Sequence, residues 1–175
     1  GGKPLKDATI EALRAVETLK SSADAAKELH GQQVPMDLAK GTENRLAFTI
    51  REPIGVVAAL SAFNHPLNLI AHQVAPALAA GWCVIVKPAS QTPISAIKLV
   101  QILREAGFPP QSVIVTPCSG AKAEQIVQDR RLGFLSFIGS AEVGWGIRNK
   151  LHPGTRFSLE HGGEAAVIVH YDADL

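Results

Sequence analysis

Four short stretches of this 175-residue chain carry side chains able to do chemistry. Ser61-Ala62-Phe63-Asn64-His65-Pro66 offers the Asn64 amide, which can donate to an oxygen that gains negative charge as a carbonyl is attacked. Glu160-His161-Gly162-Gly163 offers a carboxylate that, partly shielded from water, can serve as a general base. Phe137-Ile138-Gly139-Ser140 combines a residue without Cβ, permitting close approach, with a serine at a helix start, where free N–H groups seat an anion. Lys87-Pro88-Ala89-Ser90 supplies an ammonium able to hold ribose hydroxyls or pair with a phosphate. Each stretch also has an ordinary reading. Asn and Pro build turns, a lysine marks a strand's exit into solvent, Ser140 caps its helix, and Glu160 is a surface residue before a flexible turn.

Other chemistries find no pattern. The histidines (His30, His65, His72, His152, His161 and His170) show no His-x-x-x-His spacing, and neither cysteine lies in a Cys-x-x-Cys, so no metal site is expected. Cys83 sits in an apolar run and is expected in the core. Cys118 lies in a Pro/Ser/Gly loop, where exposure is open to it but no base is assigned, so neither is read as catalytic. The Gly-x-Gly-x-x-Gly fingerprint follows none of the strand-like runs, which argues against a standard dinucleotide loop.

The elements that must position these residues follow from periodicity. Apolar, β-branched runs occur at Val56–Ser61, Cys83–Val86, Ser112–Thr116, Leu135–Ile138 and Ala166–Val169, with a weaker one at Arg156–Leu159. Helical patterns lie between them at Leu67–Ala80, Pro93–Ala106, Ala121–Gln128 and Ala141–Lys150. This alternation predicts an α/β fold: a Rossmann-like parallel sheet with helices on both faces, ligands sitting beyond the carboxyl ends of the strands. All four stretches lie where such a run gives way to a helix or turn.

An N-terminal helical segment, residues 4 to about 30, precedes the sheet, with Leu5, Ala8, Ala12, Ala15 and Leu19 on one face and Lys6, Glu11, Arg14, Glu17 and Lys20 mostly elsewhere. Residues 31–44 read as loop and 45–52 as a strand. Residues 1–52 thus form a lead-in, and 53–175 the βα repeats of a single lobe. In the helix after Pro93, Thr92 is the expected cap and Gly107 the expected stop, with Ala96, Leu99, Val100 and Leu103 facing the sheet.

Composition narrows the classes. Hydrophobic residues make up 46% and aromatics only 5%, so Val, Ile, Leu and Ala must fill the core. Seventeen basic residues against sixteen acidic ones predict no nucleic-acid or membrane surface. The uncharged run Val74 to Val86 contains Pro76 and Gly81 and is too short to span a bilayer. Two cysteines make no disulfide framework, so a cytoplasmic setting is the default. The start, Gly1-Gly2-Lys3-Pro4, is read as internal to a longer protein, without a basic-then-apolar leader.

Taken in order, these stretches resemble the cofactor-binding part of the aldehyde dehydrogenase superfamily. Arg51-Glu52-Pro53-Ile54-Gly55-Val56-Val57 resembles the approach to that family's first cofactor-domain strand. Phe63-Asn64-His65-Pro66 is similar to its Trp-Asn-Phe-Pro motif, Lys87-Pro88-Ala89-Ser90-Gln91-Thr92-Pro93 to its lysine motif, and Phe137 to Gly144 to its Phe-Thr-Gly-Ser-x-x-Val-Gly segment. The resemblance implies oxidation of a small aldehyde to a carboxylic acid with NAD or NADP, through a cysteine thioester. It implies Asn64 as oxyanion donor and Glu160 as activator of the hydrolytic water. It also implies cofactor contacts at Leu60, Ser61, Ala62, Phe63, Lys87, Ser90, Gly139, Ser140, Val143, His161 and Gly162. Gly120 stands for the family's glycine pair, of which the loop 116–120 keeps one, and His161 replaces a usual leucine.

Ser90 stands where NAD-preferring members commonly have a glutamate that repels a 2′-phosphate, so tolerance of NADP is expected. The family's nucleophile and substrate-side domain match nothing up to Leu175. The chain alone is therefore expected to be inactive, and the full-length protein a homo-oligomer. Two further readings stay open. One is a reductase or CoA-acylating member, which the Glu160 setting disfavours. The other is a non-catalytic nucleotide-binding or assembly module, whose 43–52 segment could pair with a partner.

Overall fold

The computed structural model describes residues 2–174; Gly1 and Leu175 lie outside the described residues. Five of the apolar runs pair into one parallel sheet: β3 (Val56–Leu60), β4 (Cys83–Lys87), β5 (Val113–Val115), β6 (Leu132–Gly139) and β7 (Arg156–His161). Its strand order is β5-β4-β3-β6-β7. The chain runs outward from β3 through β4 to β5, then returns to the other side of β3 for β6 and β7. The order therefore reverses between β3 and β6, and a crevice opens there beyond the carboxyl ends. Register levels that rim, since Leu60 is paired with Lys87 on one side and with Phe137 on the other. Gly139 is likewise paired with His161, and Ile138 with Glu160.

Strand side chains alternate between faces, so β3 feeds two cores at once. Val57 and Ala59 join Val84, Val86 and Val113 beneath α2 (Asn68–Ala79) and α3 (Ile94–Glu105). Ala58 and Leu60 join Leu135 and Phe137 beneath α4 (Gly120–Val127), with Ile147 of α5 (Ala141–Arg148) packed at the margin. Helices cover both faces, as the alternation predicts.

Local signals account for the helix ends. Gly81 and Gly107 follow α2 and α3 at φ 78° and 98°, the left-handed region that costs glycine least. There Trp82 N–H donates to the Ala77 carbonyl and Phe108 N–H to the Leu103 carbonyl, closing both helices in the same six-residue turn.

Several expectations need correction. Residues 166–169 form no strand: Val167 and Ile168 are exposed, and nothing among the described residues supplies a ladder partner. The 45–52 strand shrinks to β2 (Ala47–Phe48), paired antiparallel with β1 (Gln33–Val34) inside the expected loop. Cys83 is exposed at the first position of β4, since the buried alternation begins at Val84. Thr92 does not cap α3; Pro93 holds that position, and the Thr92 hydroxyl is buried without a partner among the described residues.

The largest shift concerns α1 (Leu5–Ala26), which packs along α2. Ala8, Ala15 and Leu19 turn inward as expected, but Leu5 and Ala12 are exposed. Glu11, expected off the packed face, is only 4% exposed. No helix among the described residues is long and apolar enough to cross a membrane.

Candidate functional site

At the end of β3, Ser61 N–H donates to the Lys87 carbonyl at 3.2 Å, stitching the tips of β3 and β4 together. Leu60 and Ser61 are buried, Ala62 is half-buried, and Phe63 and Asn64 emerge into solvent. The Ser61 hydroxyl is buried without a partner among the described residues. Of Asn64, only the backbone carbonyl is engaged, by Lys3 Nζ at 3.2 Å. Among the described residues its side-chain amide has no partner, so it is free to donate.

A cavity of about 600 Å³ opens beside this turn. Asn64 and Glu160 both line it, from segments 96 residues apart, together with His72, Gln73, Ser136 and Ser158. Glu160, next to last in β7, is exposed, so its carboxylate is open to water and to anything entering the cavity. Neither Cys83 nor Cys118 lines the cavity.

Gln73 is a site residue that the sequence reading missed. It is 5% exposed, and its Nε2 donates to the Leu60 carbonyl at 3.2 Å and to the Ser136 carbonyl and hydroxyl, both at 3.0 Å. One amide thus ties the end of β3 to Ser136 within β6, beside the crevice. The available signal was a glutamine at a helix position that periodicity turns toward the sheet.

The Gly139-Ser140 turn is shaped by an aromatic ring. A Cβ on Gly139 would sit 2.6 Å from Phe137 Cζ, and one on Gly144 would sit 2.9 Å from His161 Cδ2 and 3.0 Å from Phe137 Cε1. Both glycines therefore leave room for Phe137, itself 6% exposed. Ser140 stands at the N-cap of α5 but makes no side-chain cap bond. Ser119, at the same position of α4, does accept from Lys122 N–H. The Ser140 hydroxyl and the first-turn N–H groups of α5 thus remain free to hold an anion. Val143, half exposed on α5, offers apolar surface beside them.

On the neighbouring strand, the His161 ring meets Trp145 edge-on at 5.3 Å, and its Nε2 is buried without a partner among the described residues. Gly162 follows as the chain leaves β7. Across the rim, Lys87 ends β4 half-buried, with no carboxylate partner among the described residues, and Ser90 lies exposed in the turn after it. Gly120 opens α4 beyond the outer strand β5. Among the described residues the rim therefore offers the unpaired Lys87 ammonium, the free N-terminus of α5, and unpartnered polar atoms on Ser61 and His161. Such groups are of the kinds able to hold a nucleotide: donors for an anion, a cation and apolar surface. Lys87 and Glu160 stand three strand spacings apart, about 14 Å across the sheet. Among the described residues no cluster of His, Cys, Asp or Glu is placed to hold a metal ion.

Comparison with known proteins bears on the family and the fold. A family model described as "Aldehyde dehydrogenase family" matches residues 1–175. The 3-sulfolactaldehyde dehydrogenase of Priestia megaterium (strain ATCC 12872 / QMB1551) is 46% identical over 176 residues, covering 99% of this chain and 36% of that protein. The chain thus spans about a third of the length of the curated relatives it matches. Among solved structures, aldehyde dehydrogenase 21 from Physcomitrella patens, bound to the reaction product succinate, superposes with a TM-score of 0.89 at 35% identity. That match covers 94% of this chain and 34% of the other. The NADP-dependent glyceraldehyde-3-phosphate dehydrogenase of Bacillus halodurans C-125, complexed with NADP, superposes at 0.87 with 36% identity, covering 92% and 34%.

Proposed function

Because this chain belongs to the aldehyde dehydrogenase family, we propose that it is the cofactor-binding lobe of an enzyme oxidising a small aldehyde to a carboxylic acid. NAD or NADP, when bound, supplies the hydride acceptor. This chain's residues bind that cofactor and supply an oxyanion donor and a base. Ser140 and the α5 N-terminus hold the phosphates, Lys87 holds the ribose, and Leu60, Ser61, Ala62, Phe63, Val143, His161 and Gly162 line the crevice, with Ser90 and Gly120 at its outer side. Asn64 donates its amide N–H to the oxygen that becomes negatively charged when a thiolate attacks the aldehyde. Glu160 takes a proton from the water that hydrolyses the resulting thioester.

The observation that carries this reading is that Asn64 and Glu160 line one cavity. A group entering it reaches a hydrogen-bond donor and a base together, as acylation followed by deacylation requires. The thiolate is supplied from outside the cavity's present lining, since neither cysteine borders it. Placing a base beside the oxyanion donor favours hydrolysis over transfer of the acyl group to CoA. Ser90 leaves no carboxylate beside Lys87 to repel a 2′-phosphate, which supports use of NADP.

The test uses an enzyme that contains this sequence together with the family's nucleophile. Glu160→Gln is expected to release one equivalent of reduced cofactor per site in a fast burst and then stall, with acyl-enzyme visible by mass spectrometry. Unimpaired steady-state turnover of that variant would overturn the assignment. NAD preferred over NADP by a hundredfold or more would overturn the reading of Ser90.

A further inference from the structure

The segment bearing Asn64 is held by residues nearly the length of a small domain away in sequence. Among the described residues Phe63 to His65 make no ladder bond, and their one backbone–backbone hydrogen bond is the His65 carbonyl accepting from Leu69 N–H at 3.0 Å. Further hydrogen bonds reach them from Lys3, ahead of α1. Lys3 Nζ donates to the Asn64 carbonyl at 3.2 Å and to His65 Nδ1 at 2.8 Å. Its third bond, 2.8 Å, goes to Glu11 Oε2. The other Glu11 oxygen accepts from Leu67 N–H at 2.7 Å and Asn68 N–H at 3.0 Å, the first free donors of α2.

A buried carboxylate needs a cation and saturated lone pairs to be tolerated, and Glu11 has both. Burial by itself raises its pKa, but the hydrogen bonds from Lys3, Asn68 and Leu67 outweigh that and leave it below the ordinary 4.5. Because Lys3 is an ammonium, His65 must accept at Nδ1, which leaves the ring hydrogen on Nε2. The result is a clamp centred on Lys3 and Glu11. Lys3 fixes the peptide plane that carries Asn64, and Glu11 fixes both Lys3 and the helix that the Asn64 turn runs into.

We propose that Lys3 and Glu11 are positioning residues for the Asn64 side chain, setting the aim of its amide at the reacting oxygen. The role rests on Asn64 being the oxyanion donor, as proposed above. An exposed asparagine on an unladdered turn samples several aims, and loss of aim of about 1 Å costs up to about a hundredfold in rate. A merely structural reading would have Glu11 cap α2 and Lys3 neutralise it, with no consequence specific to Asn64.

A kinetic double-mutant cycle separates the two, again in an enzyme containing this sequence and the nucleophile. Asn64→Ala is expected to lower kcat by about 100- to 1,000-fold. Lys3→Met is expected to lower kcat by about 10- to 100-fold in the native background and to have almost no effect once Asn64 is alanine. Lys3→Arg, which keeps charge and reach, recovers part of the loss. Glu11→Gln, which can still accept from α2, should lose rate in the native background and lose nothing further beside Asn64→Ala. It keeps the measurement available if Lys3→Met fails to fold. Equal losses in both backgrounds would overturn the proposal and leave Asn64's own role standing. Asn64→Ala with undiminished kcat would instead overturn the oxyanion reading, and this role with it.

Discussion

Two alanine substitutions in one short helix should move stability in opposite directions. Gly144 and Gly146 both lie in α5, and replacing a helical glycine by alanine stabilises by about 1 kcal/mol through backbone entropy. A Cβ at 146 meets nothing within 4 Å, so Gly146→Ala should keep that whole gain. A Cβ at 144 lands 2.9 Å from His161 Cδ2 and 3.0 Å from Phe137 Cε1. Gly144 is buried, and Phe137 is packed in the core under α4, so neither ring withdraws freely. Overpacking of this kind costs about 1–3 kcal/mol, which outweighs the helical gain.

The net expectation is about 0–2 kcal/mol of destabilisation for Gly144→Ala, against about 1 kcal/mol of stabilisation for Gly146→Ala. Urea unfolding followed by far-UV circular dichroism reads both. At a slope of about 2 kcal/mol per molar, Gly146→Ala should raise the midpoint by about 0.5 M while Gly144→Ala leaves it level or lowers it by up to about 1 M. The displaced ring also borders the Gly139-Ser140 turn, so only Gly144→Ala should weaken NADP binding in a fluorescence titration. If Gly144→Ala stabilised as much as Gly146→Ala with cofactor affinity intact, the packing of Phe137 and His161 on α5 described above would be wrong.

Three other perturbations follow from the same contacts. Gln73→Leu strips the donor from the Leu60 carbonyl and from Ser136, and should cost about 1–3 kcal/mol in the same unfolding assay; a neutral result would remove Gln73 as the tie between β3 and β6. Leu135→Ala, at a fully buried position of β6, should cost about 2–5 kcal/mol by leaving a cavity beneath α4, and a cost below 1 kcal/mol would contradict that packing. Glu11 has a lowered folded pKa, so its contribution to stability is complete above the ordinary 4.5 and is lost as pH falls through the folded value. Unfolding midpoints measured from about pH 5 to pH 3 should therefore fall more steeply for the native chain than for Glu11→Gln, and parallel curves would refute the buried ion pair.

Much of the fold was legible because its signals are local. The β-branched runs of β3 to β6 and the helical patterns between them are decided within a few residues, as are the Gly81 and Gly107 stops. Even the weak 156–159 run proved to be a strand, because β6 offered it a ladder. The 166–169 run is stronger in sequence yet forms none, since a strand exists only where another lies beside it. The same dependence made β1 and β2 two-residue arms where the sequence suggested a loop and a longer strand.

The residue types able to do chemistry, and their place just past strand ends, were set by the sequence alone. Asn64, Glu160, Ser140 and Lys87 needed no coordinates to be singled out, because a parallel sheet always collects its strand ends on one rim. Only the tertiary structure brought Asn64 and Glu160 to one cavity, left the Ser140 hydroxyl free while Ser119 caps its helix, and turned Gln73 between two strands. Only the tertiary structure, too, buried Glu11 against α2 and reached Lys3 over to the Asn64 carbonyl. Periodicity assigns a charged residue to water because a lone charge is costly to bury. It has no means of weighing three donors that arrive from fragments up to 57 residues away, and those donors are what make the burial of Glu11 tolerable.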